Sequence, residues 1–243
     1  MGVGPRHAQD EAGRVIAVLG SHNLRDLGGL RTGDGRTVRR GRLFRSDYPA
    51  FADDDEGRVA ALGITTVVDL RRGREAALEC VTWSDHGVSH VRCPLVAHSA
   101  DSWHARYQAY LTDRPETVVA AVRTLMHPDR QPALFHCAAG KDRTGTVAAL
   151  LLQVLGVPDE VVVADYVLTT SALAAVLARL QGIELYAEML RDSAMADQEP
   201  RAEQMTAFLG WLAEHGGAEA WLLDHGVAPG EVARFREAMV ESL

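Results

Sequence analysis

Residues 144–155, TGTVAALLLQVL, are apolar almost all the way round a helix. This stretch limits the possible folds more than any other. A helix without a polar face needs apolar neighbours on every side, so other elements must surround it. Gly156 ends it, and Pro158-Asp159-Glu160 carries the signals of a following helix start. Upstream, Ala133–His136 reads as a strand, and Ile64–Leu70 (ITTVVDL) is the near-continuous β-branched run of a strand buried on both faces. Val88–Leu95 is a further strand candidate. Arg114–Met126, with Pro115 early, reads as a helix, as does the shorter Asp53–Ala61. From Pro158 to Leu243 the pattern is helical, with breaks near Asp192–Pro200, Gly216-Gly217 and Gly226–Gly230. Strands alternating with helices, then a helical tail, predict an α/β fold with a central, mostly parallel sheet flanked by helices.

The 243 residues suit one domain with a full core (1–243), with residues 1–13 expected as a flexible N-terminus. No apolar run in the sequence approaches the length of a membrane span, and the N-terminus has no apolar h-region. The expectation is a cytoplasmic chain without a stable membrane anchor, leaderless export remaining open. A net charge of −8 argues against a nucleic-acid partner. The three cysteines, Cys80, Cys93 and Cys137, are widely spaced and form no CxxC pair. That argues against a zinc site or a disulfide framework and for a reducing compartment.

Between the strand at His136 and the central helix lies the chemistry: Phe135-His136-Cys137-Ala138-Ala139-Gly140-Lys141-Asp142-Arg143-Thr144-Gly145. Strand, small-residue loop and helix N-terminus gather unpaired backbone N–H groups around an anion. Ala138, Ala139 and Gly140 let the backbone curl closely round a ligand, and Arg143 offers a fork matching two phosphate oxygens. Cys137 is expected on the floor, where a positive helix end and two cations favour its thiolate. Such a thiolate can attack phosphorus in line, and the amides with Arg143 neutralise the oxygens without a metal or other cofactor. Thr144 is expected to hydrogen-bond the sulfur. An ATP-binding P-loop does not fit, because Phe135 stands where its first glycine belongs and Asp142 follows the lysine.

C-x5-R followed by Thr is the signature of cysteine-dependent phosphatases. The longer HCxxGKDRTG form resembles the atypical bacterial tyrosine and phosphoinositide phosphatases. Asn23-Leu24-Arg25-Asp26-Leu27-Gly28-Gly29 is similar to that family's NFRDLGG segment, and Leu43-Phe44-Arg45-Ser46 to its LYRS. Thr66–Arg71 is similar to its DLR strand, and Gly156–Leu168 to its GVPDE…DYLLS helix start. The resemblance implies a tyrosine-phosphatase-like fold with extra C-terminal helices and hydrolysis of phosphate monoesters through a phosphocysteine. It leaves three substrate classes open: phosphotyrosine protein, phosphoinositide, and a small nucleotide or sugar phosphate. A catalytically silent phosphate-binding module is the rival of a different kind.

The WPD loop that supplies the acid in many cysteine phosphatases is missing from this sequence. Trp83-Ser84-Asp85 looks like it only superficially and reads as a surface turn with Trp83 partly buried. By resemblance, Asp142 faces the pocket as general acid; the alternative is a charge that merely favours the helix start. Asp69, ending a parallel strand, is the alternate acid. Lys141, the only lysine, either meets a second phosphate, by resemblance, or is solvated at the rim. His136 is expected to bond the loop or neighbouring backbone. Arg25 and Asp26 either support the site from behind or tie a loop to the sheet. Arg31, Arg36, Arg39, Arg40, Arg42 and Arg45 lie along an expected hairpin turning at Gly33-Asp34-Gly35, either solvated or steering an anionic substrate. The segment Ala97–Thr112, with Trp103, Tyr107, Tyr110 and Leu111, reads as a lid or as a core helix.

Overall fold

Two-sided burial organises the molecule. The computed structural model describes residues 13–54, 56–98, 100–191 and 198–242. The expected flexible N-terminus thus falls, but for Gly13, outside the described residues, as does most of the expected break near Asp192–Pro200. The strands, in chain order, are β1 (Arg25–Asp26), β2 (Thr37–Val38), β3 (Leu43–Ser46), β4 (Thr66–Asp69), β5 (Ser89–Arg92), β6 (Ala133–His136) and β7 (Val240–Glu241). The main sheet runs β1-β3-β6-β4-β5, parallel throughout except for β1, which pairs antiparallel with β3.

Along each central strand, alternate residues enter opposite cores. Leu43, Val68, Ala133 and Phe135 pack into the larger core, while Phe44, Val67 and Leu134 pack into the smaller one. With both faces apolar, the sequence of such a strand reads as an unbroken run rather than an alternation.

The smaller core is closed by α1 (Phe51–Asp54), α2 (Glu56–Ala61) and the 3-10 turn Trp83–His86. Trp83 is buried there and Asp85 is exposed, so Trp83-Ser84-Asp85 is a surface turn away from the loop. Next in the chain come α3 (Gly73–Leu78), α4 (Trp103–Asp113), α5 (Pro115–Met126), α6 (Asp142–Val154) and α7 (Asp159–Val167). They are followed by α8 (Leu173–Gln181), α9 (Glu184–Leu190), α10 (Ala202–Glu214), α11 (Gly217–Asp224) and α12 (Pro229–Met239). Residues of α4 to α7 and of α10 to α12 build the larger core, with α6 at its centre: Val147–Leu152 are all buried. The apolar-all-round stretch is therefore the central helix, beginning two residues earlier than its periodicity predicts.

Three details differ from expectation. The chain does not end as helix: β7 pairs antiparallel with β2, matching Thr37 to Glu241 and Val38 to Val240. The hairpin forms with its turn at 33–35, the Gly29 and Thr32 amides donating to Val38 O and Arg36 O and the Val38 amide to Leu30 O, but its second arm also pairs on its other edge with β7. Its arginines also divide: Arg36 pairs with Asp34 and Arg39 with Glu241 at the surface, whereas Arg45 is buried. Finally, the helical stretch Asp159–Gln181 is long and apolar enough to cross a membrane, with a mean hydropathy of 1.9 over its 18-residue window. It is interrupted by the 3-10 turn Leu168–Ala172, and it carries Asp165 into a buried ion cluster.

That cluster ties the N-terminal segment to the helical layer. The Asp165 carboxylate takes Arg14, Arg25 and Arg45, all four residues being buried. Burial works against the Asp165 charge, but Arg25, Arg14 and Arg45 outweigh it and hold the carboxyl well below the usual range. Arg25, desolvated and repelled by Arg45, is lowered to about 9. Removing the single anion from three buried cations leaves charge uncompensated. Asp165→Asn should cost on the order of 3–5 kcal/mol, read as a lower urea midpoint with an unchanged slope.

Candidate active site

The loop Cys137–Lys141 leaves the C-terminal end of β6 and enters α6, at the sheet edge where open α/β folds form their sites. Its shape follows from where its carbonyls go. Ala138 O accepts from the Tyr48 amide at 3.3 Å and from Arg179 of α8. Asn23 Nδ2 donates to Ala139 O and to Gly140 O, both at 3.2 Å, and Arg45 donates to Gly140 O at 2.8 Å. With the carbonyls turned outward and bonded, no acceptor among the described residues takes the amide hydrogens of residues 138–144. They line a cup at the start of α6.

Gly140 permits the curl. Its φ is +66°, and a Cβ there would come within 2.6 Å of the Ser46–Asp47 backbone. Asp47 at that junction is buried, and its Oδ1 accepts from Ser21 Oγ at 2.5 Å and from the amides of His22 and Asn23 at 3.0 Å. Asn23 is thereby fixed, and Arg25 holds its Oδ1. Arg25 thus supports the loop from behind. Asp26 instead ties a turn: its Oδ atoms accept the amides of Gly28 and Gly41, each at 2.7 Å. A Cβ on Gly28 would collide with the Arg40 backbone at 2.3 Å, so the Asp26–Gly28 turn also needs its glycine.

The cup opens into a pocket of about 420 Å³. Cys137, Ala138 and Ala139 form part of its floor, with Asp142 and Arg143 beside them. Leu95, Trp103, Tyr110, Leu180 and Tyr186 supply apolar wall, and Arg72 and Arg106 add cations. The segment carrying Trp103 is at once core and wall: Tyr107, Tyr110 and Leu111 are buried, while Trp103 is partly exposed toward the pocket.

Arg143 is held by Glu75, the residue that the sequence reading missed. Two parallel bonds of 2.7 Å join its terminal nitrogens to the Glu75 carboxylate, a geometry that fixes the guanidinium plane. Glu75 also caps α3, accepting the Arg72 amide at 3.0 Å. Burial works against the Glu75 charge, and its bonds to Arg143 overcome this, holding the carboxyl at about 2. For Arg143 burial also opposes charge, and the Glu75 hydrogen bonds with the adjacent Cys137 sulfur raise it well above the ordinary value. In the sequence, Glu75 is only an acid in a helix's first turn, which any helix favours.

Other expected roles change. Lys141 is neither solvated nor directed into the pocket: it is buried, with Nζ donating to Gln198 O at 2.7 Å. The same ammonium lies 3.9 Å from the Trp103 ring centre and 3.5 Å from Asp142 Oδ1. Lys141 therefore reaches the cup only through its backbone. Asp69 is not available as an acid. It is buried outside the pocket and clamped by Arg71 at 2.9 and 3.0 Å. Burial works against its charge, and His136, His90 and Arg71 together hold the carboxyl far below its usual range. Asp142 lines the pocket, and its Oδ1 accepts from Tyr107 at 2.8 Å. The Thr144 hydroxyl is buried without a hydrogen-bond partner among the described residues, so the expected bond to sulfur is not formed here. His136 meets backbone as expected, with Nδ1 3.1 Å from Cys137 O. Among the described residues, no three His, Cys, Asp or Glu side chains are gathered as a metal site.

A sulfur on the floor of an amide-lined cup, beside an arginine locked by a carboxylate, is the site architecture of a cysteine-dependent phosphatase. Residues 16–241 match the tyrosine phosphatase family, and the chain belongs to it. A Cupriavidus necator protein carrying the name of a tyrosine-protein phosphatase is 36% identical over 201 residues, covering 71% of this chain and 74% of that one. The triple specificity protein phosphatase PtpB of Mycobacterium tuberculosis is 28% identical over 281 residues, covering 93% of this chain and 99% of its own length. Among solved structures, the core catalytic domain of the PP-IP phosphatase SIW14 from S. cerevisiae aligns at 15% identity. It covers 63% of this chain and 78% of that one, with a TM-score of 0.42.

The buried imidazole under the loop has a consequence for stability. Burial above all lowers His136 to about 4, against the pull of Asp69. An unfolded imidazole takes up its proton near pH 6.5, so between about pH 6.5 and 4 the unfolded chain binds more protons than the folded one. Stability is then full above pH 6.5 and falls as pH drops, by on the order of 2 kcal/mol at pH 5. Urea unfolding at a series of pH values should show that decline, and His136→Asn should flatten it.

Proposed function

We propose that this phosphatase hydrolyses phosphate monoesters through a phosphocysteine on Cys137, with phosphotyrosine in protein as its principal substrate. One observation carries the reading: Cys137 and the Glu75-locked Arg143 share the floor of one pocket with the free amides of the loop. In the first step the Cys137 thiolate attacks phosphorus, an S–P bond forms, the ester P–O bond breaks, and Asp142 protonates the departing oxygen. In the second step water attacks phosphorus, the S–P bond breaks, and the water proton returns to Asp142. Arg143 and the amides of residues 138–144 meet the phosphoryl oxygens throughout, so charge neutralisation needs no metal. The Thr144 hydroxyl, having no hydrogen-bond partner among the described residues, is free to turn to the departing sulfur.

Aromatic and aliphatic walls suit the flat ring of phosphotyrosine: Trp103, Tyr110 and Tyr186 with Leu95 and Leu180. A second reading, an ester with further anionic groups such as a phosphoinositide, draws support from Arg72 and Arg106 on the same pocket. Two intact groups for covalent chemistry weigh against a silent binding module. A reducing compartment, the cytoplasm, suits a nucleophile that must stay a free thiol.

Rapid quenching during turnover of a 32P-labelled aryl phosphate should trap label on Cys137, and Cys137→Ser should lower kcat by at least about 10³-fold. Lack of label at that sulfur would refute the mechanism. Asp142→Asn should slow alkyl phosphates by about 100-fold and an aryl phosphate with a good leaving group far less. Equal losses would remove Asp142 from the acid role. Ranking phosphotyrosine peptides against phosphoinositides, nucleotides and sugar phosphates by kcat/KM decides the substrate class.

A further inference from the structure

A chain of hydroxyls runs from Asp142 into the protein interior. Tyr107 Oη of α4 donates to Asp142 Oδ1 at 2.8 Å and lies 2.6 Å from Tyr166 Oη of α7. Tyr166 Oη in turn lies 2.9 Å from Gln204 Oε1 of α10, which also accepts the Arg201 amide at 3.2 Å. Both tyrosines are buried, 0% and 1% exposed, so water does not compete for these bonds. We propose that Tyr107 and Tyr166 are positioning residues for the proton donor Asp142, orienting its carboxyl and stabilising the charge left when its proton departs. This rests on the reading of Asp142 as the acid.

The argument is one of counting protons. Each tyrosine has a single O–H, so at most two of the three contacts are hydrogen bonds at once. While Tyr107 donates to Asp142, Tyr166 donates either to Gln204 or to Tyr107. In the remaining arrangement Tyr107 donates to Tyr166 and Tyr166 to Gln204, leaving Asp142 Oδ1, among the described residues, with the Lys141 ammonium at 3.5 Å. A carboxylate selects the arrangements in which Tyr107 donates to it; a neutral carboxyl selects them weakly. Burial, first, and the nearby Asp142 charge raise both phenols above their ordinary value, so they act as neutral donors. The hydroxyls only rotate, and no net proton moves along the chain.

Orientation follows from the same contacts. Tyr107 and Lys141 both occupy the side of Oδ1, which leaves Oδ2 to carry the proton toward the pocket. When the leaving oxygen takes that proton, Asp142 becomes a carboxylate, and the Tyr107 bond strengthens as the charge develops. Other charged and titratable groups line the same pocket: Arg106 and Tyr110 from α4, Arg143 and Cys137 from the loop region, and Arg72 and Glu75 from the start of α3. None of these is altered by the substitutions below.

The test compares phenyl phosphate, a poor leaving group, with 2,4-dinitrophenyl phosphate, a good one, across pH. Tyr107→Phe should lower kcat/KM for phenyl phosphate by about tenfold and for the dinitrophenyl ester far less. Losing a donor to the carboxylate also raises the affinity of Asp142 for its proton, so the basic limb of the phenyl phosphate profile should move to higher pH. Tyr166→Phe should act in the same direction and more weakly. Gln204→Leu should move the limb to lower pH, because Tyr166 then has only Tyr107 to donate to. These two variants keep the Tyr107 ring and read the same chain should Tyr107→Phe lose its fold. Equal losses on both esters with unmoved limbs would overturn the proposal. Asp142→Asn keeps the two ideas apart: if it slows phenyl phosphate selectively while the tyrosine variants do not, the chain fails and the acid stands. If Asp142→Asn shows no selectivity, the acid assignment itself fails.

Discussion

The outward bonding of three carbonyls, Ala138, Ala139 and Gly140, is the constraint on which the site depends. A loop of this length has no periodic partner, so side chains and one neighbouring amide must satisfy its polar groups. Asn23, Arg45, Arg179 and the Tyr48 amide perform that task here. Because they come from three separate parts of the chain, the cup forms only when the sheet, the N-terminal segment and α8 have assembled. Arg45 and Arg25 are themselves held by Asp165, so a buried ion cluster stands directly behind the anion-binding backbone. Such a cluster is poor value as a source of stability, since three cations and one anion are desolvated together. Its use is orientation.

Legibility in the sequence followed the distance between partners. Cys137 and Arg143 could be read because chemistry, loop and helix start are contiguous there. The central strands and α6 could be read because two-sided burial leaves unbroken apolar runs. Glu75, by contrast, meets Arg143 across 68 residues, and Tyr107 meets Asp142 across 35. Neither residue carries a local mark of its partner. The β7 strand was invisible for the same reason: two residues become a strand only because β2 lies beside them. Lys141 and Asp69 were misjudged differently. Their positions in the chain pointed to the right region, but packing decides what a side chain meets: Lys141 is buried against Gln198 and Trp103, Asp69 is held by Arg71, and neither lines the pocket.

Electrostatics then explains how a strongly cationic site coexists with an acidic chain. Arg143 is neutralised by Glu75, Lys141 lies beside Asp142, Arg71 is clamped by Asp69, and Arg179 is paired with Glu79. What remains on the floor of the cup for an incoming dianion is the set of amides without an acceptor among the described residues and the donors of Arg143 that Glu75 does not use, with Arg72 and Arg106 on the surrounding wall. A guanidinium offers five N–H groups, and two parallel bonds to a carboxylate leave three. Glu75 thus fixes the plane of the fork without occupying it, and the substrate need not displace a partner to be bound. A free arginine would present the same charge with more rotamers to lose on binding. Locking it beforehand moves that entropic cost from the catalytic cycle to folding, where α3 and the Arg72 amide already hold Glu75. The same logic applies on the other side of the cup. Tyr107, buried and bonded to Asp142 Oδ1 at 2.8 Å, holds that carboxyl in place before anything binds.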